Sequence, residues 1–225
     1  MDVALRRMRP EDRKEVKEIE REAFAPLGVG TPFKREMNNR YAKYLVAYFP
    51  EPPEPPEPAA QPEPSIHEDS GRSADVPIWS RMLKSVQSLV KQDDRPSTEK
   101  ESCIAGYLGV WFQGNEAHIT EIAVREPLRG QGIGELLLIG SLRVALEYGS
   151  SVVTLEVRAS NFVAHRLYEK YGFKPAGVRK GYYADNREDA VIMTTSPIHS
   201  DAYRELFREL QEKYPAHWRE IRIEN

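Results

Sequence analysis

The sequence predicts an α/β fold of about seven strands in a single domain, on three observations. Strand-like apolar runs alternate with helix-periodic runs along most of the chain. Between Ile119 and Gly149 a Gly-rich turn leads from one such strand straight into a long helical pattern. A Pro- and Glu-rich stretch then breaks the alternation once, between two strands, as an insertion does.

Val3 to Met8 reads as the first strand, and Arg9-Pro10-Glu11-Asp12 opens a helix with proline and acids in its first turn. Val16, Ile19, Ala23 and Phe24 give that helix one apolar stripe, while its charges form a solvated face. Ala25 to Pro32 is a loop, Phe33 to Ala42 a second short helix and Tyr44 to Phe49 a strand. Residues 1–49 thus make the N-terminal part of the domain. Pro50 to Pro64 holds 8 of the 17 prolines, interleaved with glutamates, and suits an extended polyproline segment. Ile78 to Val90 carries an amphipathic helical pattern, and residues 50–102 together form the insertion. Cys103 to Phe112 and Glu116 to Val124 read as a hairpin around Gly114-Asn115. Val152 to Val157 is a strand, and Asn161 to Tyr171 a helix capped by Ser160 or Asn161 and stopped at Gly172. Val178 to Tyr183 and Ala190 to Thr194 close the sheet, so the core spans 103–198. The extension 199–225 has helical periodicity from Asp201 to Trp218 and is expected to dock back on the sheet.

The 225 residues are enough for one full core, and a net charge of -3 with pI near 6.0 offers no general attraction for nucleic acid or an anionic membrane. One cysteine, Cys103, excludes an internal disulfide and suits a reducing cytoplasm. It precedes the apolar run Ile104 to Val110 and reads as a strand residue rather than a nucleophile. The start of the chain has no apolar signal core, and no segment approaches ~18 apolar residues, so a soluble, cytoplasmic protein is expected. The five histidines show no metal-ligand spacing, and no metal is expected.

Ile122 to Gly134 (IAVREPLRGQGIG) concentrates the chemistry. Glycines let backbone N–H groups approach an anion, and the helix that follows adds about half a positive charge at its N-terminus. A P-loop would need Gly-Lys-Ser/Thr, but Gly134 is followed by Glu135 and Leu136. A dinucleotide fingerprint would need its third glycine where Glu135 stands. Gly-x-Gly alone also describes a plain tight turn. The pattern met is Arg/Gln-x-x-Gly-x-Gly/Ala, by Arg129, Gly132 and Gly134. It resembles the acetyl-CoA pyrophosphate loop of the GNAT superfamily of N-acetyltransferases.

Four further blocks narrow that resemblance: Leu155 to Asn161 (LEVRASN), Leu167 to Phe173 (LYEKYGF), Arg179 to Tyr183 (RKGYY) and Glu188 to Met193 (EDAVIM). Their order and spacing resemble RimI-type ribosomal-protein alanine N-acetyltransferases over 103–197, and more loosely over 1–49. The insertion and the tail lie outside the resemblance. It implies a mixed sheet splayed around acetyl-CoA, flanked by helices, with the amine entering from the opposite side. It also implies acetyl transfer to a primary amine, most simply the N-terminal α-amine of a protein such as a ribosomal protein. Direct attack in a ternary complex, with no acyl-enzyme, is expected because Cys103 is poorly placed.

An α-amino group titrates near about 7.7–8.0 and lysine near about 10.4, so a chain terminus is the easier amine to deprotonate. Strand alternation turns Thr154, Glu156 and Arg158 to the face opposite Leu155 and Val157. Glu156 matches the family's base, and Tyr168 the tyrosine that protonates the departing thiolate; a paired strand carboxylate and a core aromatic are the plain alternatives. The resemblance assigns the amides of Gly130, Gln131, Gly132, Ile133 and Gly134, with Arg129, to the pyrophosphate. It assigns the backbone of Ile122, Ala123 and Val124 to the pantetheine arm, and Asn161 and Tyr168 to further cofactor contacts. By alternation His118 shares a face with Ile122 and Val124 and is a lesser candidate base, while Glu121 points to the other face and could touch substrate. Residues 26–39 and 177–187, including Tyr182 and Tyr183, would wall the amine side. Two other readings remain: acetylation of a lysine side chain, polyamine or small metabolite, and a degenerate CoA-binding regulator.

Overall fold

The computed structural model describes residues 3–24, 30–50 and 104–214, all in the unit built from Met1–Pro50 and Ser102–Asn225. Cys103, the amphipathic pattern at 78–90, the Pro-rich run after Pro50 and the chain after Tyr214 lie outside the described residues. The strands are β1 Ala4–Arg7, β2 Ala42–Tyr48, β3 Ile104–Gln113, β4 Glu116–Val124, β5 Val152–Arg158, β6 Phe173–Arg179 and β7 Ala190–Thr195. They form one seven-stranded sheet in the order β1-β2-β3-β4-β5-β7-β6, as the α/β expectation required. Neighbours run antiparallel except β4 and β5, which run parallel. The helices are α1 Arg13–Phe24, α2 Phe33–Glu36, α3 Ile133–Tyr148, α4 Phe162–Lys170 and α5 Asp201–Lys213. Among the described residues no helix is long and apolar enough to cross a membrane.

Local chemistry moves three boundaries from their expected places. A 3-10 turn at Pro10–Asp12 precedes α1. There the Asp12 carboxylate accepts the Arg9 amide at 2.6 Å and two bonds from the buried Arg6 guanidinium. α2 is one turn long rather than reaching Ala42. The Asn39 side chain accepts the Tyr41 amide and the Asn39 carbonyl that of Ala42, which turns the chain into β2. β6 starts at Phe173 and ends at Arg179 rather than spanning 178–183. Asp189 accepts the Gly181 amide at 2.8 Å, and with Gly181 at φ 58 that makes a turn where strand was expected.

The sheet has two covered faces. On one, Leu5, Leu45, Leu108, Val110, Ile119, Val153 and Leu155 pack against Ile133, Leu136, Leu137 and Leu142 of α3. On the other, Val16 and Ile19 of α1 and Phe33 of α2 pack with Tyr44, Val46, Tyr107 and Ala123. The Phe33 ring meets Tyr44 and Tyr107 edge-on at 5.4 and 5.7 Å. α3 is apolar nearly all round, from Leu136 to Leu142, and a helix of that kind needs a second cover. α5 contributes to it: Tyr203, Phe207 and Leu210 join the core cluster that holds α3. Arg143 donates two bonds to Gln211, and Tyr203 donates to the Tyr171 carbonyl.

β3 and β4 slip register between Gly109 and Val110, leaving Thr120 as an extra residue between Ile119, which pairs Val110, and Glu121, which pairs Gly109. A Cβ at Gly109 would sit 2.7 Å from Thr120 Oγ1 and 2.8 Å from the Tyr44 ring. Gly109→Ala is therefore expected to destabilise the fold by about 1–3 kcal/mol, lowering Tm by about 3–10 °C in a thermal melt. A melt unchanged within a degree would show that the bulge tolerates a side chain at its partner position.

Candidate active site

β4 and β5 pair only from Glu116↔Val152 to Ile119↔Leu155. Beyond that point β5 continues to pair with β7 on its other side, Glu156 opposite Ile192. β4 continues to pair with β3 through Val124. The inner edges of the two strands therefore part at the Thr120 bulge, leaving the backbone of Ile122, Ala123 and Val124 without a β5 partner. An extended ligand can add to such an edge by main-chain hydrogen bonds.

The bulge also corrects the expected facing of two residues. One extra residue reverses alternation beyond it, so Ile122 and Val124 turn to the α3 side with Ile119, and Glu121 turns to the α1 side with Ala123 and Tyr107. His118, before the bulge, reaches Glu156. His118 and Glu121 thus share a face that regular alternation denied them, and His118 does not share one with Ile122 and Val124.

At the open end of the splay lies the N-terminus of α3. Pro127 falls in a 3-10 turn at Glu126–Leu128, after which the chain extends at Arg129. Gly130 and Gly132 adopt φ 77 and 89, a region costly for any residue with a Cβ. Gly132 is the N-cap and brings no side-chain cap, so the first amides of α3, Ile133, Gly134 and Glu135, have neither an intrahelical acceptor nor a capping oxygen. This fits an anion. Arg129 Nε donates to the Val124 carbonyl at 3.2 Å and Gln131 to that of Pro127 at 3.3 Å, tying the loop to the end of β4. The acid in this first turn, Glu135, is engaged by Lys170 at 2.5 Å and by the Tyr171 hydroxyl at 2.6 Å.

The Glu156 side chain is largely buried and lies between two basic residues. Oε2 lies 2.9 Å from His118 Nε2, and Oε1 lies 3.0 Å from Arg179. Behind His118, Nδ1 lies 2.9 Å from Thr154 Oγ1, whose hydroxyl donates to Glu116 at 2.5 Å. Register makes this possible, because His118 and Thr154 are paired residues of β4 and β5. The three contacts of this chain need three protons. Thr154 and a neutral imidazole supply two, so the chain is complete when it holds one more. A group that accepts a proton from an amine would provide it.

Tyr168 lies on α4, whose N-cap Asn161 accepts the Ala164 amide through its side chain at 3.2 Å. Capping accounts for that asparagine. Burial and then nearby Tyr183 push the Tyr168 phenol up to about 12, so it stays a donor at neutral pH. Its ring packs 5.8 Å from Phe173. Tyr183 is also pushed up to about 12, mainly by burial, and it interacts electrostatically with Glu156 as well. Arg158 stacks 3.9 Å from the Tyr183 ring and binds Asp185 and Glu188, which holds the 182–188 turn against β5. Tyr183, on the turn expected to wall the site, thus interacts electrostatically with both the candidate base and the candidate acid.

On the α1 side Tyr107 donates to Glu121 at 2.8 Å, and Thr31 Oγ1 lies 3.4 Å from both Glu121 oxygens. Glu20 accepts the Thr31 amide at 2.7 Å. Burial, opposed by the Tyr107 and Thr31 bonds and helped by Glu20, raises Glu121 to about 7. Sequence reasoning did not find Thr154, Glu116, Arg179 or Tyr107. The parity of Thr154 with Glu156 on VVTLEVR was the one available signal. Among the described residues no group of three or more His, Cys, Asp or Glu could hold a metal ion.

Comparison with known proteins bears on the family and the fold. The profile of the acetyltransferase (GNAT) family matches residues 49–173. A Bacillus subtilis protein provisionally named ribosomal protein bS18-alanine N-acetyltransferase is 45% identical over 95 residues, covering 42% of this chain and 63% of that protein. The Escherichia coli K12 protein of the same name is 43% identical over 81 residues, covering 35% and 55%. An N-alpha-acetyltransferase of Saccharolobus solfataricus is 46% identical over 79 residues, covering 35% and 47%. The chain thus spans between about half and just under two thirds of these relatives. In fold it is similar to the crystal structure of the Escherichia coli ribosomal-protein-S18-alanine N-acetyltransferase, with TM-score 0.57 at 22% identity over 88% of this chain and 95% of that one.

Proposed function

The chain belongs to the acetyltransferase (GNAT) family, and on that premise we propose that it transfers an acetyl group from acetyl-CoA to the α-amine of a protein N-terminus. The names of its relatives make a ribosomal protein with an N-terminal alanine the first candidate acceptor, which would place the enzyme in the cytoplasm. One observation carries the reading: the parted β4 and β5 end at an uncapped glycine loop on one side and at the Glu156–His118 pair on the other.

Acetyl-CoA would supply an activated thioester. The amides of Gly130, Gln131, Gly132, Ile133 and Gly134 would hold its pyrophosphate with Arg129, the Ile122–Val124 edge its pantetheine arm, and Asn161 would lie beside it. Glu156 accepts the proton of the incoming amine, directly or through one water, and His118 shares the load through its 2.9 Å contact. Thr154 and Glu116 complete that chain behind His118. Tyr168 donates its phenolic hydrogen toward the departing sulfur. With the phenol near 12 and a thiol near about 8.5, full transfer is uphill, and a shortening hydrogen bond is the cheaper course.

Release of CoA with acetyl-CoA and short peptides tests this, using free Ala, Ser and Met N-termini, the same peptides N-blocked, and an N-blocked peptide with an internal lysine. Turnover is expected on free N-termini alone. Turnover on the blocked lysine peptide would move the function to side chains, and none on any peptide would leave a small amine or a regulator. Tyr168→Phe is expected to lower kcat by about 10- to 100-fold with acetyl-CoA affinity kept. An unchanged kcat would reduce Tyr168 to a packing residue.

A further inference from the structure

We infer that Tyr214, at the end of α5, is a positioning residue for the acetyl-CoA loop, fixing the Gly132–Ile133 peptide so that the Ile133 amide is presented to the pyrophosphate. The inference rests on the proposed reading of that loop as the pyrophosphate site. The C-terminal extension lies beyond the sequence blocks that carry the family resemblance, and nothing in the proposed chemistry uses it.

Tyr214 is buried, and its hydroxyl donates to the Gly132 carbonyl at 2.9 Å. The same carbonyl accepts the Leu136 amide at 3.0 Å. Two donors fill the two lone pairs of one carbonyl, so its direction is set. In a planar trans peptide the C=O and the following N–H point in opposite directions. Setting the Gly132 carbonyl therefore sets the Ile133 N–H, which has no intrahelical acceptor. The fixing matters because Gly132 is a glycine at φ 89, free to rotate, and the atom nearest to where its Cβ would stand is the Tyr214 hydroxyl at 3.6 Å.

The brace is itself anchored. Tyr203 donates to the Tyr171 carbonyl at 3.0 Å, and the Tyr171 ring meets Phe207 at 6.4 Å. Gln211 takes two bonds from Arg143 of α3. The Tyr171 hydroxyl in turn engages Glu135, the one acid in the first turn of α3. α5 thus reaches the loop directly at one point, the Gly132 carbonyl, through Tyr214.

Calorimetric titration of the full chain with CoA tests this, using wild type, Tyr214→Phe and Tyr203→Phe. Both variants lose one hydroxyl from the same docked face, but only Tyr214 bonds the loop. For Tyr214→Phe the Kd of CoA and the KM of acetyl-CoA are expected to rise about three- to tenfold with kcat within about twofold. Tyr203→Phe is expected to lower Tm while leaving Kd near wild type. Equal weakening in both variants, or none in Tyr214→Phe while wild type binds CoA, would overturn the inference alone. A wild type that binds no CoA would overturn the reading of the loop, and the inference with it.

Discussion

Glu156→Gln is expected to lower kcat/KM for a free N-terminal peptide by about 100-fold or more, which is about 2.7 kcal/mol of transition-state stabilisation. The substitution keeps the size of the side chain and its reach to Arg179 and His118, so what it removes is the capacity to take a proton. The carboxylate is held between those two residues at 3.0 and 2.9 Å, on a strand whose other face is core. CoA affinity is expected to stay within about twofold, because the glycine loop lies on the far side of the splay. His118→Ala should cost less, about tenfold, since Glu156 still faces the amine. A Glu156→Gln enzyme retaining more than a third of wild-type turnover would falsify the base role and leave Glu156 as a buried partner for Arg179.

Folding stability is expected to fall between pH 5 and pH 8 by an amount traceable to Glu121. Its carboxyl is raised from 4.5 to about 7 in the folded protein, chiefly by burial. The folded state therefore holds a proton that the unfolded chain gives up. The stabilisation is fully present below about pH 4.5 and is lost as the pH rises through about 7. Raising the carboxyl from 4.5 to about 7 corresponds to about 3–4 kcal/mol at most, at roughly 1.4 kcal/mol per pH unit. Glu121→Gln mimics the protonated form and should flatten the dependence, so that the variant gains on wild type as pH rises. Urea unfolding of both proteins at pH 5.5 and 8 measures this directly. Parallel pH profiles would show that Glu121 is ionised in the folded protein across the range and that its bonds to Tyr107 and Thr31 offset its burial.

Much of the frame was legible because local rules set it. Gly132 and Gly149 announce the two ends of α3, one as an uncapped N-terminus and the other as a left-handed C-cap. Asn161 caps α4, and Gly172 at φ 78 stops it. On β5 the alternation is regular, and Glu156 lies opposite Leu155 and Val157 as its spacing required. Arg129, Gly132 and Gly134 come together at one helix end because they are near neighbours in the chain. Each of these features depends on residues within a turn or a strand of one another.

The arrangement of the site depends on contacts that the chain makes with distant parts of itself. Alternation predicts facing only while a ladder is regular, and Thr120 breaks it through a register slip opposite Gly109. That single extra residue puts Glu121 on the α1 side with Tyr107, and parts β4 from β5. His118 meets Glu156 because Glu116↔Val152 pairing aligns two strands separated by a whole helix. Thr31 meets Glu121, and Tyr214 meets Gly132, across separations of 90 and 82 residues. The residues themselves were present in the sequence, with their chemistry and local conformation. Which of them touch was settled by sheet register and by the docking of α5, both of which are energies of long-range pairing that no local pattern carries.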